Sequence, residues 1–364
     1  MSRLFVSLLA LALAAGCGGG SSSSRAPTLP PANPKALSKM AQGVAAAKET
    51  GGRSRAIKLL REAVKMDPNL WEARYDLGVL LAEESDLDGA ESELAAAFKL
   101  APNAEDVVVA LAEVRRRQGD ASGAADVLGG FVKQFPKAVV ARTSLVSALR
   151  ESGKVDQAID HAREVLVRRS SDPNALAELA MSHLQRGEID TAELLVKEAL
   201  KADPNNAVAE RTAGLVALKK GDDAIAFRHF AQASSLDPKD TTARLNTGTV
   251  LLQAGVYDKA SQEFRGVLAV KATDTAAQLG LAAALRGLGT RDNRGPYQEA
   301  EKVLKDVLLR EPKNMNALFN LGILYADFLG KPAEAKPILE RFLAASPSSH
   351  PARAHAKKII AGQK

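Results

Sequence analysis

Mostly small, apolar residues recur at fixed places along this chain. One set is Ala56, Ala90, Ala124, Ala158, Ala192 and Ala226; a second is Ala63, Ala97, Phe131, Val165, Ala199 and Ala233; a third is Gly78, Ala112, Val146, Ala180, Gly214 and Gly248. Polar stretches that carry proline separate the runs: Met66-Asp67-Pro68-Asn69, Leu100-Ala101-Pro102-Asn103, Ala202-Asp203-Pro204-Asn205 and Leu236-Asp237-Pro238-Lys239. Members of every set are spaced by 34 residues, as are Pro68, Pro102 and Pro136, with Ser170 at the next place before Pro204 and Pro238. Proline cannot continue a helix, and the residue before it avoids the α region. Each proline stretch therefore ends one helix and begins the next. Glycine turns fall between the small positions, at Gly119-Asp120, Gly153-Lys154, Gly187-Glu188, Gly221-Asp222 and Gly255-Val256. Glycine there suits a left-handed helix cap, and a small side chain lets two helix backbones approach closely. The period predicts helix, glycine turn, helix, proline turn, a whole supersecondary unit repeated in phase.

The pattern resembles the tetratricopeptide repeat over residues 37–348, with nine units that begin near Leu37, Trp71, Glu105, Val139, Pro173, Ala207, Thr241, Thr275 and Met315. The resemblance implies an all-α fold, a right-handed superhelical solenoid of helix-turn-helix units. Residues 349–364, with Ala352, Ala356, Ile359 and Ile360, are expected to form a capping helix with a polar outer face. The chain departs from the family in its scarcity of aromatics, at 4%, with alanine, leucine and valine in their place. The eighth unit carries an insertion, Gly289 to Pro296, that reads either as a contact loop or as a tolerated surface loop. The ninth carries one extra residue near Gly330, so that its last proline is Pro347.

The first residues set the expected address. Met1-Ser2-Arg3 leads into an apolar run from Leu4 to Ala15, followed by Gly16-Cys17. A positive start, a short apolar run and small residues before a cleavage site read as a secretory signal peptide over residues 1–16. The run is too short to span a membrane as a helix. Leu13-Ala14-Ala15-Gly16-Cys17 resembles a bacterial lipoprotein signal, although Ala14 stands where that family prefers leucine. The resemblance implies that Cys17 receives a diacylglycerol and becomes the new amino terminus; an ordinary signal peptide with a free thiol is the alternative. Cys17 is the only cysteine, so no disulfide can form within one chain. Residues 17–36 then read as a lipidated cysteine and tether, Gly- and Ser-rich before Pro27, Pro30, Pro31 and Pro34, of which residues 18–36 span about 60 Å at most. Gly18 is not the aspartate that retains such lipoproteins in the inner membrane, so the outer membrane is favoured.

The formal charge of +6 and pI of about 9.3 are mildly basic. Arg115-Arg116-Arg117 and Arg168-Arg169 are the densest basic runs, and they read as solvated helix ends. Nucleic-acid binding would need basic stripes with aromatic platforms, which the composition does not supply. The sequence carries no phosphate loop, no H-E-x-x-H and no G-x-S-x-G elbow. His161, His183, His229, His350 and His355 hold no i, i+4 pair. No catalytic residue, metal site, cofactor or small-molecule substrate is predicted, and the chain is not expected to be an enzyme. Aspartates before the prolines are expected to cap the following helix or turn.

In tetratricopeptide proteins the first helix of each unit lines a groove through its second, fifth, ninth and twelfth places. Carried onto this sequence, the resemblance implies a mixed early half, with Tyr75, Val79, Asp106, Val109, Glu113, Arg116, Thr143 and Arg150. The later half is more apolar: Met181, Leu184, Leu215, Leu218, Leu245, Leu252, Leu279, Phe319 and Ile323, with Arg211 and Arg286 among them. That strip suits an amphipathic helix or extended peptide, unless its leucines pack against neighbouring units. The lysine-asparagine clamp for chaperone tails is missing. The expected function is an outer-membrane-anchored protein-interaction scaffold in a bacterial envelope machine, of the kind found in gliding, type IV pilus or secretion systems. The alternative is a periplasmic assembly factor that binds transient clients, outer-membrane proteins or cell-wall and glycan-export enzymes. Partners are envelope proteins in the groove and the membrane through the lipid on Cys17.

Overall fold

The computed structural model describes residues 29–362. The signal peptide, Cys17 and most of the tether lie outside the described residues. The chain divides into two compact units, Met1–Ala202 and Asp203–Lys364. In the first, α1 (Pro34–Ala47), α2 (Arg53–Met66), α3 (Trp71–Glu83), α4 (Leu87–Leu100) and α5 (Glu105–Gln118) are followed by α6 (Ala121–Gln134), α7 (Val139–Glu151), α8 (Val155–Arg168), α9 (Pro173–Gln185) and α10 (Ile189–Ala202). In the second, α11 (Ala207–Lys220), α12 (Asp223–Leu236), α13 (Thr241–Gln253), α14 (Tyr257–Val270) and α15 (Thr275–Leu288) precede α16 (Gly295–Arg310), α17 (Met315–Ile323), α18 (Pro332–Ala345) and α19 (Arg353–Ile360). Within each unit, consecutive helices pack as antiparallel pairs, and each pair packs on the next. Eight of the nine predicted unit starts, from Trp71 to Met315, are the first residues of helices.

The turns form as the residue types dictate. Asp67, Asp203 and Asp237 each accept, at 3.0 Å, the backbone N–H two residues on, across the proline. They close the turn, while the residue before the first helix caps α9, α11, α13, α15 and α17: Asp172, Asn206, Asp240, Asp274 and Asn314 all accept from backbone N–H groups of the first turn, whereas Leu70, Ala104 and Ala138 before α3, α5 and α7 supply no side-chain cap. Gly119 ends α5 at φ 90°, and the N–H groups of Gly119 and Asp120 return to Arg116 and Arg115. The same place in the α3–α4 turn is held by Ser85, the one non-glycine residue at positive φ among the described residues.

The small positions serve close approach. A Cβ on Gly78 would stand 2.6 Å from Leu94 Cγ, and one on Gly214 would stand 2.5 Å from the ring of Phe230. Large second-helix side chains thus fill the space that first-helix glycines leave; Leu94, Phe230 and Phe264 are all at most 1% exposed.

The first unit of the repeat differs from its predicted frame. α1 begins at Pro34, inside the stretch assigned to the tether, with Asn33 capping it and proline in the first turn. Gly43, one place earlier than a strict period allows, meets Leu60 and Ala56 as Gly78 meets Leu94 and Ala90. One extra residue in the turn before Arg53 absorbs the shift. In the ninth pair the extra residue is absorbed within the helix: α17 continues into a π-helical turn, Leu324–Phe328, closed by Leu329 N–H to Leu324 C=O at 2.9 Å. Residues 290–295 of the insertion are exposed and bonded to themselves, Thr290 with Asn293 twice and Gly295 N–H to Asn293 Oδ1. α19 packs its Ala356 against Leu318, Leu339 and Phe342 at the end of the second unit.

Candidate partner-binding faces

First helices of the early pairs carry the polar part of the predicted groove. In the first unit, Arg116 on α5 reaches Glu151 at the end of α7 through two bonds, of 2.8 and 2.5 Å, and Glu113 on its own helix at 2.6 Å. Arg150 meets Glu151 at 3.4 Å and Glu178 of α9 at 3.3 Å. Arg116 and Arg150 stand one period apart, so the repeat itself builds a ladder of alternating charge across three first helices. Burial works against the charge on Arg116, but the hydrogen bond with Glu151 and the fields of Glu113, Glu151 and Glu178 outweigh it and raise its pKa. Burial raises the pKa of Glu113, with Glu151 adding to it. This periodic arginine and its partner Glu113 were visible in the sequence at places already assigned to the groove; Glu151 and Glu178, off those places, were not.

At the start of the same face, Asp76 on α3 is pushed up to about 6, first by burial and then by Glu72. Burial also raises Glu72 and Tyr75, the latter with help from Asp106 and Asp76. The early face is therefore a half-buried acidic patch beside Tyr75, followed by the charge ladder.

The predicted apolar strip is placed differently from a free surface. Met181 is half-buried on α9. Leu184 is buried, a correction to its assignment: α9 is packed by α7, α8 and α10 and covers nine of its thirteen residues. In the second unit Leu215 and Leu218 pack on the cluster around Phe230, and Leu245, Leu252 and Leu279 pack on the largest cluster, around Phe264 and Leu281. Phe319 stacks on Phe342 with ring centres 5.2 Å apart. Ile323 is buried, a second correction, because α15, α16 and α18 enclose the end of α17. Arg211 bonds Asp240 at 2.7 Å, and Arg286 bonds Asn320 at 3.3 Å while lying over Phe328. The strip is used largely to hold successive pairs together. Among the described residues the large apolar side chains left exposed are Met66, Val140, Val167, Leu194, Ile225 and Leu309, of which Val140 alone stands at a predicted groove place, the second of its unit.

The histidines are structural neighbours of charge: His183 meets Glu188 at 2.5 Å, His229 meets Glu210 at 2.7 Å, and His161 meets Arg142 at 3.0 Å. Among the described residues no group of three His, Cys, Asp or Glu side chains is placed to hold a metal ion. No described helix is long and apolar enough to cross a membrane.

The family model described as tetratricopeptide repeat matches residues 44–105, 109–173, 143–207, 211–277 and 290–350. No curated protein sequence matches the chain. Among solved structures, the APC/C hetero-tetramer Cut9-Hcn1 aligns with TM-score 0.61 and 16% identity over 89% of this chain. This chain spans 62% of the length of that protein, and the likeness is one of fold. A human IFIT1 dimer with PPP-AAAA aligns over 81% of this chain and 79% of its own, at 17% identity and TM-score 0.48. TTC0263, a thermophilic TPR protein of Thermus thermophilus, aligns over 50% of this chain and 99% of its own, at 21% identity and TM-score 0.44.

Proposed function

This chain belongs to the tetratricopeptide repeat family, and from that premise we propose that it is a lipid-anchored protein-interaction scaffold of a bacterial outer membrane, serving surface motility or secretion. The observation that carries the reading is the juxtaposition of a lipoprotein-like leader ending at Cys17 with a repeat array that matches the family through residue 350. Repeat arrays of this family bind proteins through side chains on their first helices. Here those helices offer the charge ladder of Arg116, Glu151, Arg150 and Glu178 and the exposed Val140. The lipid supplies location, and the segment after it supplies reach. A lipid anchor with two or more chains holds where one does not.

The anchor is tested by labelling cells with a palmitate analogue and comparing the parent with Cys17→Ala. Label on the parent and none on the variant, with the variant lost from the outer-membrane fraction, is the expected result; an unlabelled parent sinks the anchor. The scaffold is tested by affinity recovery from the parent's own cells beside Val140→Glu with Thr249→Glu, two exposed first-helix positions. A fixed set of motility or secretion proteins that the double variant loses supports the reading. A shifting population of exported proteins instead identifies a client-binding assembly factor.

A further inference from the structure

The positive charge of this chain is not spread along it. Residues 71–364 hold 39 lysines and arginines against 40 aspartates and glutamates, whereas residues 33–70, the first helix pair, hold eight against three. The pair is also unusual in shape. In the frame set by Gly43, residues Ser38, Gln42 and Ala45 of α1 correspond to Ala73, Leu77 and Leu80 of α3. Those three are 0%, 1% and 7% exposed, and their counterparts Val107, Leu111 and Val114 are equally buried, because each packs on the preceding pair. Ser38, Gln42 and Ala45 are exposed, and no described helix covers them. The open end face is a shallow depression of about 500 Å³ lined by Lys39, Gln42, Ala45, Arg55, Lys58, Leu59 and Glu62.

Its charge is only partly answered. Lys39 pairs with Glu62 at 2.7 Å, Arg55 with Glu49 at 3.1 Å, and Arg53 with Glu83 and Glu84. Lys35, Lys58, Arg61 and Lys65 are exposed and take part in no ion pair among the described residues. The apolar groups on this pair include the exposed Met66 and the half-buried Leu59, set on a broad, shallow surface that offers no deep apolar centre for a folded protein partner, while its cations are numerous. Such a surface suits a plane of fixed negative charge. We infer that the first helix pair docks on the anionic phospholipid headgroups of a bilayer, through Lys39, Arg55 and Lys58 of its open end face together with Lys35, Arg61 and Lys65, exposed elsewhere on the same pair. Each lysine or arginine near such a surface strengthens binding about fivefold, and the effect fades beyond the screening length. The face would hold the first helix pair at the membrane surface. The inference stands on charge and shape and does not need the lipid on Cys17.

The test uses the full chain carrying Cys17→Ala and vesicles of phosphatidylcholine, with or without about one-third phosphatidylglycerol. The apolar run from Leu4 to Ala15 contributes equally on both, so the quantity read is the ratio of the two affinities. The expected result is preference for the anionic vesicles that high salt removes, weakened about 25-fold in Lys58→Gln with Lys65→Gln. A second pair, Lys35→Gln with Arg61→Gln, should lose a similar factor, and circular dichroism should show both pairs folded, since none of the four has an ion-pair partner to leave behind. Lys357→Gln with Lys358→Gln, on the basic helix at the other end, should bind like the parent. The inference is overturned if the parent ignores lipid charge, if the first-pair variants bind as tightly as the parent, or if the control pair is the one that fails. It is equally overturned if soluble polyglutamate binds more tightly than the anionic vesicles, which would make the face a receptor for acidic polypeptide.

Discussion

Gly214 and Phe230 offer a sharp test of how the pairs are held. Both lie in the second unit, Gly214 in the middle of α11 and Phe230 wholly buried on α12. Alanine for glycine inside a helix is worth about 1 kcal/mol in propensity. At Gly214 the new Cβ would fall 2.5, 2.6 and 2.9 Å from three carbons of the Phe230 ring, where normal contact is about 3.5–4 Å. The ring must withdraw by about 1 Å into a cluster of Ala217, Ala226 and Val250 that is already closed. Overpacking of that kind costs about 1–3 kcal/mol. Gly214→Ala is therefore expected to be neutral to destabilising by about 2 kcal/mol once propensity is subtracted. Phe230→Leu vacates part of the same space, so the double variant should recover about 1–2 kcal/mol of the sum of the single losses. The control is Gly130→Ala in α6, where nothing lies within 4 Å of the added carbon and the full propensity gain should appear as stabilisation. Urea midpoints with their slopes, followed by far-ultraviolet circular dichroism, give all four values. If Gly214→Ala stabilises as much as Gly130→Ala, with no coupling to Phe230→Leu, the close approach of α11 and α12 is wrong.

Three further outcomes follow from particular groups. Asp76 has its carboxyl raised from 3.8 to about 6 in the folded chain, so the folded state binds the extra proton. Stability from this group is present below about 4, falls as pH rises through about 6 and is flat above, a loss on the order of 1–3 kcal/mol that Asp76→Asn should abolish when melting is followed from pH 4 to 8. Ser85 holds a left-handed conformation that the later turns give to glycine; Ser85→Gly relieves about 1 kcal/mol of backbone strain but gives up the serine's own interaction, so any gain in the same urea assay should stay below about 1 kcal/mol, and a larger one would refute this balance. Leu215→Glu with Leu252→Glu places two carboxylates against the clusters around Phe230 and Phe264. It should lower the melting temperature of the second unit markedly; retained stability would show that these leucines are surface residues after all.

Helix order was legible because its signals are local and repeated. Proline and glycine act on their own backbone, so eight first helices begin at the predicted residue. The departures have physical reasons. Gly51 and Gly52 take up an additional residue in the first turn without a change of pattern, which moved the first frame by one. Ser85 hid the second turn by replacing its glycine. Small first-helix positions were readable, yet which large side chain fills each gap depends on the facing helix. The groove was less legible. A leucine at the fifth or ninth place reads the same whether it meets a partner or the next pair. Burial then separates Leu184 and Ile323 from Met181. Arg116 and Arg150 were visible as a periodic pair, whereas Glu151 and Glu178, which complete the ladder, belong to other places of the repeat.

The π-helical turn at Leu324–Phe328 bears on how such an array holds a change of length. A repeat array is intolerant of length errors in principle, since one added residue would rotate everything after it by about 100°. Here the added residue is stored as a widened turn, and α18 still meets α17 through Leu339 against Gly322, as Leu94 meets Gly78. The addition is confined to one turn of one helix. A single added residue can therefore be held inside a first helix of this array without breaking the packing of the helix that follows it.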